Sequence, residues 1–320
     1  MIKYSVIGTS WITKSFIEGA NLYSELFLDG VYSRTFEKGN AFKEEVGAFR
    51  LFTDFEELLN SDTQLVYVAS PNVCHYPQCK ALLEHGKNVI CEKPITNTAD
   101  EFKELRELAN KNNLVYFEAI MYMHNQYKNT LKEALSKIGE ITSATVDYSQ
   151  LSSKYPALKR GELPNIFNPE MQTGALNDLG IYCVYPVVDI FGVPEKITAA
   201  QHHLSTGADG CGTSVFHYPQ RLVTITYSKL AESRANTEFL GDEGTVTVKA
   251  ISRLDTIKIY DNDGNVTDVF TESEKKYLMG YEAKSAIDFI KNPHSEFLKE
   301  CQDMSEKVLS CMEKMRVQNA

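Results

Sequence analysis

The sequence is short of several things, and each shortage excludes a class of function. One tryptophan stands in 320 residues, and no apolar run approaches the roughly 18 residues that a membrane span requires. The N-terminus enters a strand-like segment at once, with no charged region leading into a signal core. A cytoplasmic protein with no membrane partner is therefore expected. Positive charge is scarce as well: 33 Lys and Arg against 43 Asp and Glu leave a net charge of −10. That balance argues against a non-specific nucleic-acid surface and points to small-molecule partners, with a local basic pocket for a phosphate still open. The seven cysteines, at 74, 79, 91, 183, 211, 301 and 311, contain no C-x-x-C pair, so they are read as reduced, mostly buried thiols. Neither His202-His203 nor Cys74 with Cys79 has a second ligand pair at useful spacing, and no metal is assigned.

What is present suits a two-domain globular enzyme. Residues that are 43% apolar and 11% aromatic supply ample core, and 320 residues exceed what one core usually organises. Residues 1–120 alternate strand-like runs (Lys3 to Ile7, Leu26 to Tyr32, Leu65 to Ala69, Asn88 to Cys91, Leu114 to Phe117) with helical stretches near 11–20, 35–45, 54–59, 74–85 and 98–111. Thr98 and Glu101 form a capping box at the start of the last of these. The alternation predicts an α/β fold, a doubly wound parallel sheet of Rossmann type. Residues 121–320 read differently: a helix near 124–137, a strand at 140–149, a polar loop at 152–170 and a helix near 174–191. Alternating runs over 195–270 predict an open, mostly antiparallel sheet, and helices near 277–291 and 296–316 close the chain.

The first strand runs into Gly8-Thr9-Ser10-Trp11-Ile12-Thr13, which matches G-x-G-x-x-G in register but keeps only its first glycine. By itself this is a weak signal, equally at home in an ordinary strand-to-helix loop. The context is nevertheless that of a dinucleotide site, where a tight turn presents a helix N-terminus to a pyrophosphate. The second strand ends in Ser33-Arg34, where an NAD-binding chain usually carries an acid. A hydroxyl beside a guanidinium suits a 2′-phosphate, and Lys38 could add a second cation, so NADP(H) is favoured over NAD(H). The alternative is that Arg34 is a solvated loop residue.

Two further strands end in Val68-Ala69-Ser70-Pro71-Asn72, with His75 close behind, and in Val89-Ile90-Cys91-Glu92-Lys93-Pro94. Together with Glu118-Ala119, Ile138-Gly139-Glu140 and the run Gly174 to Tyr182, these segments resemble the glucose-fructose oxidoreductase and inositol dehydrogenase family (Gfo/Idh/MocA). The resemblance covers essentially the whole chain. It implies a Rossmann domain, a C-terminal domain whose open sheet mediates homodimer or homotetramer assembly, and hydride transfer involving a sugar, polyol or diol. It also implies that Ser70, Pro71, Asn72, His75, Glu92 and Lys93 line the nicotinamide end of the cofactor cleft. These residues fall just past the carboxyl ends of predicted parallel strands, where open α/β sheets place ligands. A lone strand-end lysine is usually a surface charge; the ordered set reverses that reading for Lys93.

Asp178 and Tyr182 are four residues apart, on one face of a predicted helix. Inositol dehydrogenases carry histidine at the second of these positions. Tyrosine there resembles the dimeric dihydrodiol dehydrogenase and NADP-linked xylose dehydrogenase branch, in which tyrosine and the signature lysine are the proposed acid–base pair. A tyrosine's ordinary pKa of about 10 is high for a base at neutral pH, but an adjacent ammonium favours the phenolate. Lys93 would supply that charge and polarise the substrate oxygen, with Asp178 orienting a substrate hydroxyl or Lys93. Two other readings stand beside these: Tyr182 as a core aromatic, and Asp178 as a helix N-cap. The function expected is an NADP(H)-linked dehydrogenase or reductase. A cofactor-binding sensor that has lost chemistry is the alternative.

Overall fold

Residues 1–270 and 275–317 are described in a computed structural model of the chain. They divide into two compact units, one of residues 1–124 with 275–306 and one of residues 125–270 with 307–317. The first contains β1 (Ile2–Ile7), α1 (Trp11–Ala20), β2 (Leu26–Tyr32), α2 (Phe36–Val46), β3 (Arg50–Phe52), α3 (Phe55–Leu59), β4 (Leu65–Val68), α4 (His75–Glu84), β5 (Asn88–Glu92), α5 (Ala99–Lys111), β6 (Tyr116–Ala119) and α6 (Met121–His124). Its six strands are all parallel, in the order β3-β2-β1-β4-β5-β6. Every residue of β4 and β6 is buried, as expected of strands covered by helices on both faces. The expected Rossmann sheet is present, with one strand more than the sequence reading names. β3 is three residues long, too short for any periodicity to register.

The strand order reverses on either side of β1, so the crevice beyond its carboxyl end is the switch point where such sheets bind ligands. Thr98 and Glu101 make the full capping box that starts α5.

The second unit contains α7 (Tyr127–Leu135), β7 (Ile141–Ser149), α8 (Tyr155–Lys159), a π-helical turn (Leu176–Gly180), α9 (Ile181–Phe191) and β8 (Lys196–His203), β9 (Asp209–Tyr218), β10 (Arg221–Ser228), β11 (Thr237–Gly241), β12 (Gly244–Ala250), β13 (Asp255–Asp261) and β14 (Val266–Phe270). The strands form an eight-stranded sheet ordered β14-β13-β12-β11-β7-β10-β9-β8. It is antiparallel except where β10 runs parallel to β7. On β10 the buried Val223, Ile225 and Tyr227 alternate with open positions, the signature of a sheet covered on one face.

The helices α10 (Lys275–Lys291) and α11 (Glu296–Val317) follow in the chain. α10 and the start of α11 return to the first unit, so a division at residue 120 with all of 121–320 in the second domain does not describe the packing. The physical reason is a close helix crossing: a Cβ on Gly19 of α1 would lie 2.5 Å from the Gly280 nitrogen of α10. Arg106 of α5 adds ion pairs to Asp303 (2.6 Å) and Glu306 (3.3 Å). The helix expected near 124–137 is present as α7, preceded by the separate short α6, and between them the Asn125 carboxamide accepts from Tyr127 N–H (2.9 Å).

Candidate active site

At the switch point Gly8 has φ of 110°, and a Cβ there would lie 2.5 Å from the Ala69 carbonyl oxygen. Only glycine fits this turn. Ser10 precedes α1 with no side-chain hydrogen bond to the helix's N–H groups, and the first turn holds no acid, so those N–H groups and the positive dipole end are not taken up by the helix's own side chains. Thr9 and Ile12 are half-exposed and Trp11 is 67% exposed, while Thr13 is fully buried in the place of the third fingerprint glycine. Ser33 follows β2, and its hydroxyl donates to Thr35 O (3.0 Å). Arg34 and Lys38 are exposed and form no ion pair among the described residues. A glycine cradle, an uncapped helix start and two unpaired cations fit a dinucleotide with a phosphate at its far end.

Lys93 leaves β5 half-exposed between the buried Glu92 and Pro94, through a cis Lys93–Pro94 peptide. Buried side chains hold the backbone around it. Glu92 accepts from the Tyr67 hydroxyl and from Lys93 N–H (3.3 Å). His75, 1% exposed, sets its ring nitrogens 2.8 Å from Pro94 O and 2.9 Å from Ser70 O. Glu118, 2% exposed, accepts from Ile95 N–H (2.9 Å) and the Ser305 hydroxyl (3.0 Å). The side chains of His75 and Glu92 are therefore buried, and their contacts hold the backbone of the loops after β4 and β5. Ser70, Pro71 and Asn72 remain half-exposed at the end of β4, Ser70 donating to Gln78 (2.7 Å). Burial, working against its two carbonyl contacts, pushes the His75 imidazole below its ordinary range, and the Lys93 charge adds to this. Burial and the charge of Glu92 hold the Glu282 carboxyl, also buried, well above the usual carboxylate range.

In the second unit the expected helix near 174–191 begins as the π turn, a form frequent at functional sites. From Gly174 to Val188 every residue is buried except Asp178 and Tyr182. The turn is staked at several points. Asp209 accepts from Leu176 N–H (2.7 Å), the Asn177 amide donates to Gln172 O (2.7 Å), and Arg316 donates to the Asn177 carbonyl oxygen (2.6 Å). Burial raises the Asp209 carboxyl above its usual range, against the Leu176 hydrogen bond. Asp178 is not a cap; its carboxylate forms an ion pair with Lys229, which the sequence reading did not pick out. Nor is Tyr182 a core aromatic: it is half-exposed, with its ring edge-on to Tyr148 at 5.6 Å.

Other expectations fared variously. The polar stretch at 152–170 contains α8, and its cations are engaged locally, Lys159 over the Tyr155 ring (4.6 Å) and Arg160 with Glu162 (2.7 Å). All seven cysteines are reduced thiols, five of them buried. Among the described residues no helix is long and apolar enough to cross a membrane. Glu118, Ser305, Glu282, Asp209 and Lys229 gave no sequence signal as site-shaping groups, apart from the place of Glu118 in the family pattern. Polar residues beside strand ends would have marked Glu118, Asp209 and Lys229, whereas Glu282 and Ser305 lie within α10 and α11.

Residues 2–120 match the Gfo/Idh/MocA oxidoreductase family, NAD-binding Rossmann fold, and residues 129–247 match the C-terminal domain of the same family. The chain is 35% identical over 319 residues to scyllo-inositol 2-dehydrogenase (NADP(+)) IolU of Bacillus subtilis, covering 99% of this chain and 97% of that protein. It is 27% identical over 247 residues to D-xylose 1-dehydrogenase (NADP(+)) of Hypocrea jecorina, covering 68% and 62% of the two chains. The fold is shared with KijD10, a 3-ketoreductase from Actinomadura kijaniata solved with NADP and TDP-benzene. That match has a TM-score of 0.88 at 20% identity and covers 99% and 98% of the two chains. This chain belongs to the Gfo/Idh/MocA family of oxidoreductases.

Proposed function

We propose that this chain is an NADP(H)-dependent oxidoreductase of sugars, polyols or diols, with Lys93 and Tyr182 as its polarising and acid–base pair. The observation that carries the reading is the Lys93 loop, whose half-exposed ammonium group leaves the carboxyl end of β5 on a backbone clamped from both sides. When bound, the nicotinamide supplies or accepts the hydride. The residues of the chain do the rest. Gly8, Thr9, Ser10, Trp11 and Ile12 hold the pyrophosphate at the start of α1. Ser33, Arg34 and Lys38 take the 2′-phosphate, a choice supported by the lack of an acid at the end of β2 and by relatives named for NADP(+). Ser70, Pro71 and Asn72 flank the nicotinamide. Lys93 stabilises charge on the substrate oxygen, Tyr182 gives or takes its proton, and Asp178 orients a neighbouring hydroxyl.

Assembly through the open sheet is part of the same reading. Strand register places Leu222, Ser143, Leu240, Thr245, Tyr260 and Val266 in one row across β10, β7, β11, β12, β13 and β14. Leu222, Leu240 and Val266 are 51%, 39% and 51% exposed, an apolar row that a second copy would cover. Titrating NADPH and NADH against Trp11 fluorescence, then screening scyllo-inositol, D-xylose and diols at the nicotinamide absorbance band, tests the function. Tight NADPH binding with no turnover on any of these would favour the sensor alternative, and failure to bind either nucleotide would remove the whole reading.

A further inference from the structure

Lys229 is a buried charge on the covered face of a sheet. It follows β10 in the same alternation as the inward Val223, Ile225 and Tyr227, and only 8% of its side chain is exposed. Such an ammonium group is costly without a counter-ion, and its ion-pair partner is Asp178, whose side chain is 31% exposed. The backbone of Lys229 is fixed on both sides, its N–H donating to Gly210 O (2.9 Å) and its carbonyl accepting from Ser152 N–H (2.9 Å). The π turn sits directly over this strand: a Cβ on Gly180 would lie 3.1 Å from the Tyr227 ring. One end of the pair is thus locked inside the second unit and the other reaches solvent beside Tyr182.

We propose that Lys229 is a positioning residue that holds the Asp178 carboxylate in one orientation, so that Asp178 reads a single hydroxyl of a neutral polyhydroxy substrate. The neutral class follows from charge. The cation is already compensated and almost wholly buried, so the pair offers an acceptor for a hydroxyl and no spare positive charge for a substrate carboxylate. Discrimination then rests on hydrogen bonding: a carboxylate held in one orientation favours the substrate that places a hydroxyl there over the analogue that lacks it. This inference rests on the function proposed above, since Asp178 acts on the substrate of that reaction.

The test uses the full chain with NADP(+) and whichever of scyllo-inositol, D-xylose or D-glucose the wild type turns over best, together with the monodeoxy analogues of that probe. Lys229→Met is expected to lower kcat/KM about 10²-fold. NADPH affinity should be unchanged, and the preference for the probe over one particular deoxy analogue should collapse. Lys229→Arg, which keeps the charge, should recover most of the loss. The double variant Asp178→Asn with Lys229→Met should be no worse than the poorer single variant, because both act through one interaction. Kinetics of Lys229→Met close to wild type, or losses that multiply in the double variant, would overturn the proposal. If Lys229→Met fails to fold, the double variant, which removes both charges at nearly constant shape, decides. With NADPH binding intact, a double variant no worse than Asp178→Asn alone supports the role, and one that loses further activity overturns it. A wild-type protein that oxidises none of the probes defeats the proposed function, whereas an active wild type matched by its Lys229 variant defeats the positioning role alone.

Discussion

The two candidate half-sites hold their functional groups by opposite means. Around Lys93 the buried side chains of His75, Glu118 and Glu92 grip the main chain, and the lysine itself is half-exposed. In the π turn, Asp209 and Asn177 also grip the main chain, but there the functional carboxylate is itself tied by its side chain to Lys229. Clamping the backbone fixes where the Lys93 side chain starts. Tying the tip fixes its direction and suits recognition of a group that does not move. The difference fits a polarising role for Lys93 and a reading role for Asp178.

The largest effect expected is that of Lys93→Ala. Turnover should fall on the order of 10³-fold or more, the scale of losing an electrostatic donor to developing charge, with NADPH affinity within a few-fold of wild type. Near-normal turnover in that variant would break the division of labour between the two half-sites. Next comes the clamp itself. Glu118→Ala leaves Ile95 N–H buried without its acceptor and the Ser305 hydroxyl with only Cys301 O (3.1 Å), at roughly 2 kcal/mol of stability in urea unfolding. Glu118→Gln should restore at least half of that loss, and equal damage from both variants would show that the hydrogen bonds are not what matters.

A smaller effect separates cofactor choice from chemistry. Arg34→Ala should lower affinity for NADPH by about 2 kcal/mol, some 30-fold, and leave NADH nearly untouched, as the loss of one charge-assisted contact requires. An equal loss for both nucleotides would place Arg34 elsewhere on the cofactor. The smallest effect concerns pH. His75 is buried with its pKa lowered from 6.5, so below that value the unfolded chain binds the proton more readily than the folded one. Stability should therefore be fully present above about pH 6.5 and decline as pH falls toward the depressed folded value. His75→Asn should flatten that part of the profile, measured by thermal unfolding between pH 5 and 7; an unchanged slope would mean other groups carry it.

Much of the first half-site was legible because its signals are local. A strand that ends in Glu-Lys-Pro, a glycine that must turn, and a capping box at Thr98 each declare themselves within a few residues. The second half-site was legible only as a pair: Asp178 and Tyr182 stood out by spacing and by their polar character in an apolar run, and they are the two positions of that run left open to solvent. Their support was not visible. Lys229 lies 51 positions from Asp178, and Asp209 lies 33 from Leu176. Nothing in a window of sequence reports an ion pair across that separation. His75 shows the opposite error, in which a residue with a strong local pattern points inward because two carbonyls lie where its ring nitrogens reach.

Taken alone, the sequence determined the alternation of buried strands and amphipathic helices, hence the parallel sheet, the glycine turn at its switch point and the family to which the chain belongs. Periodicity and turn chemistry are short-range, and they act before any contact across the molecule forms. Only the tertiary structure decided that α10 returns to the first unit, that Glu118 and His75 clamp the Lys93 loop, and that Lys229 meets Asp178. Each of these depends on which distant groups are desolvated together. A buried donor or charge must find its partner wherever the packing places one.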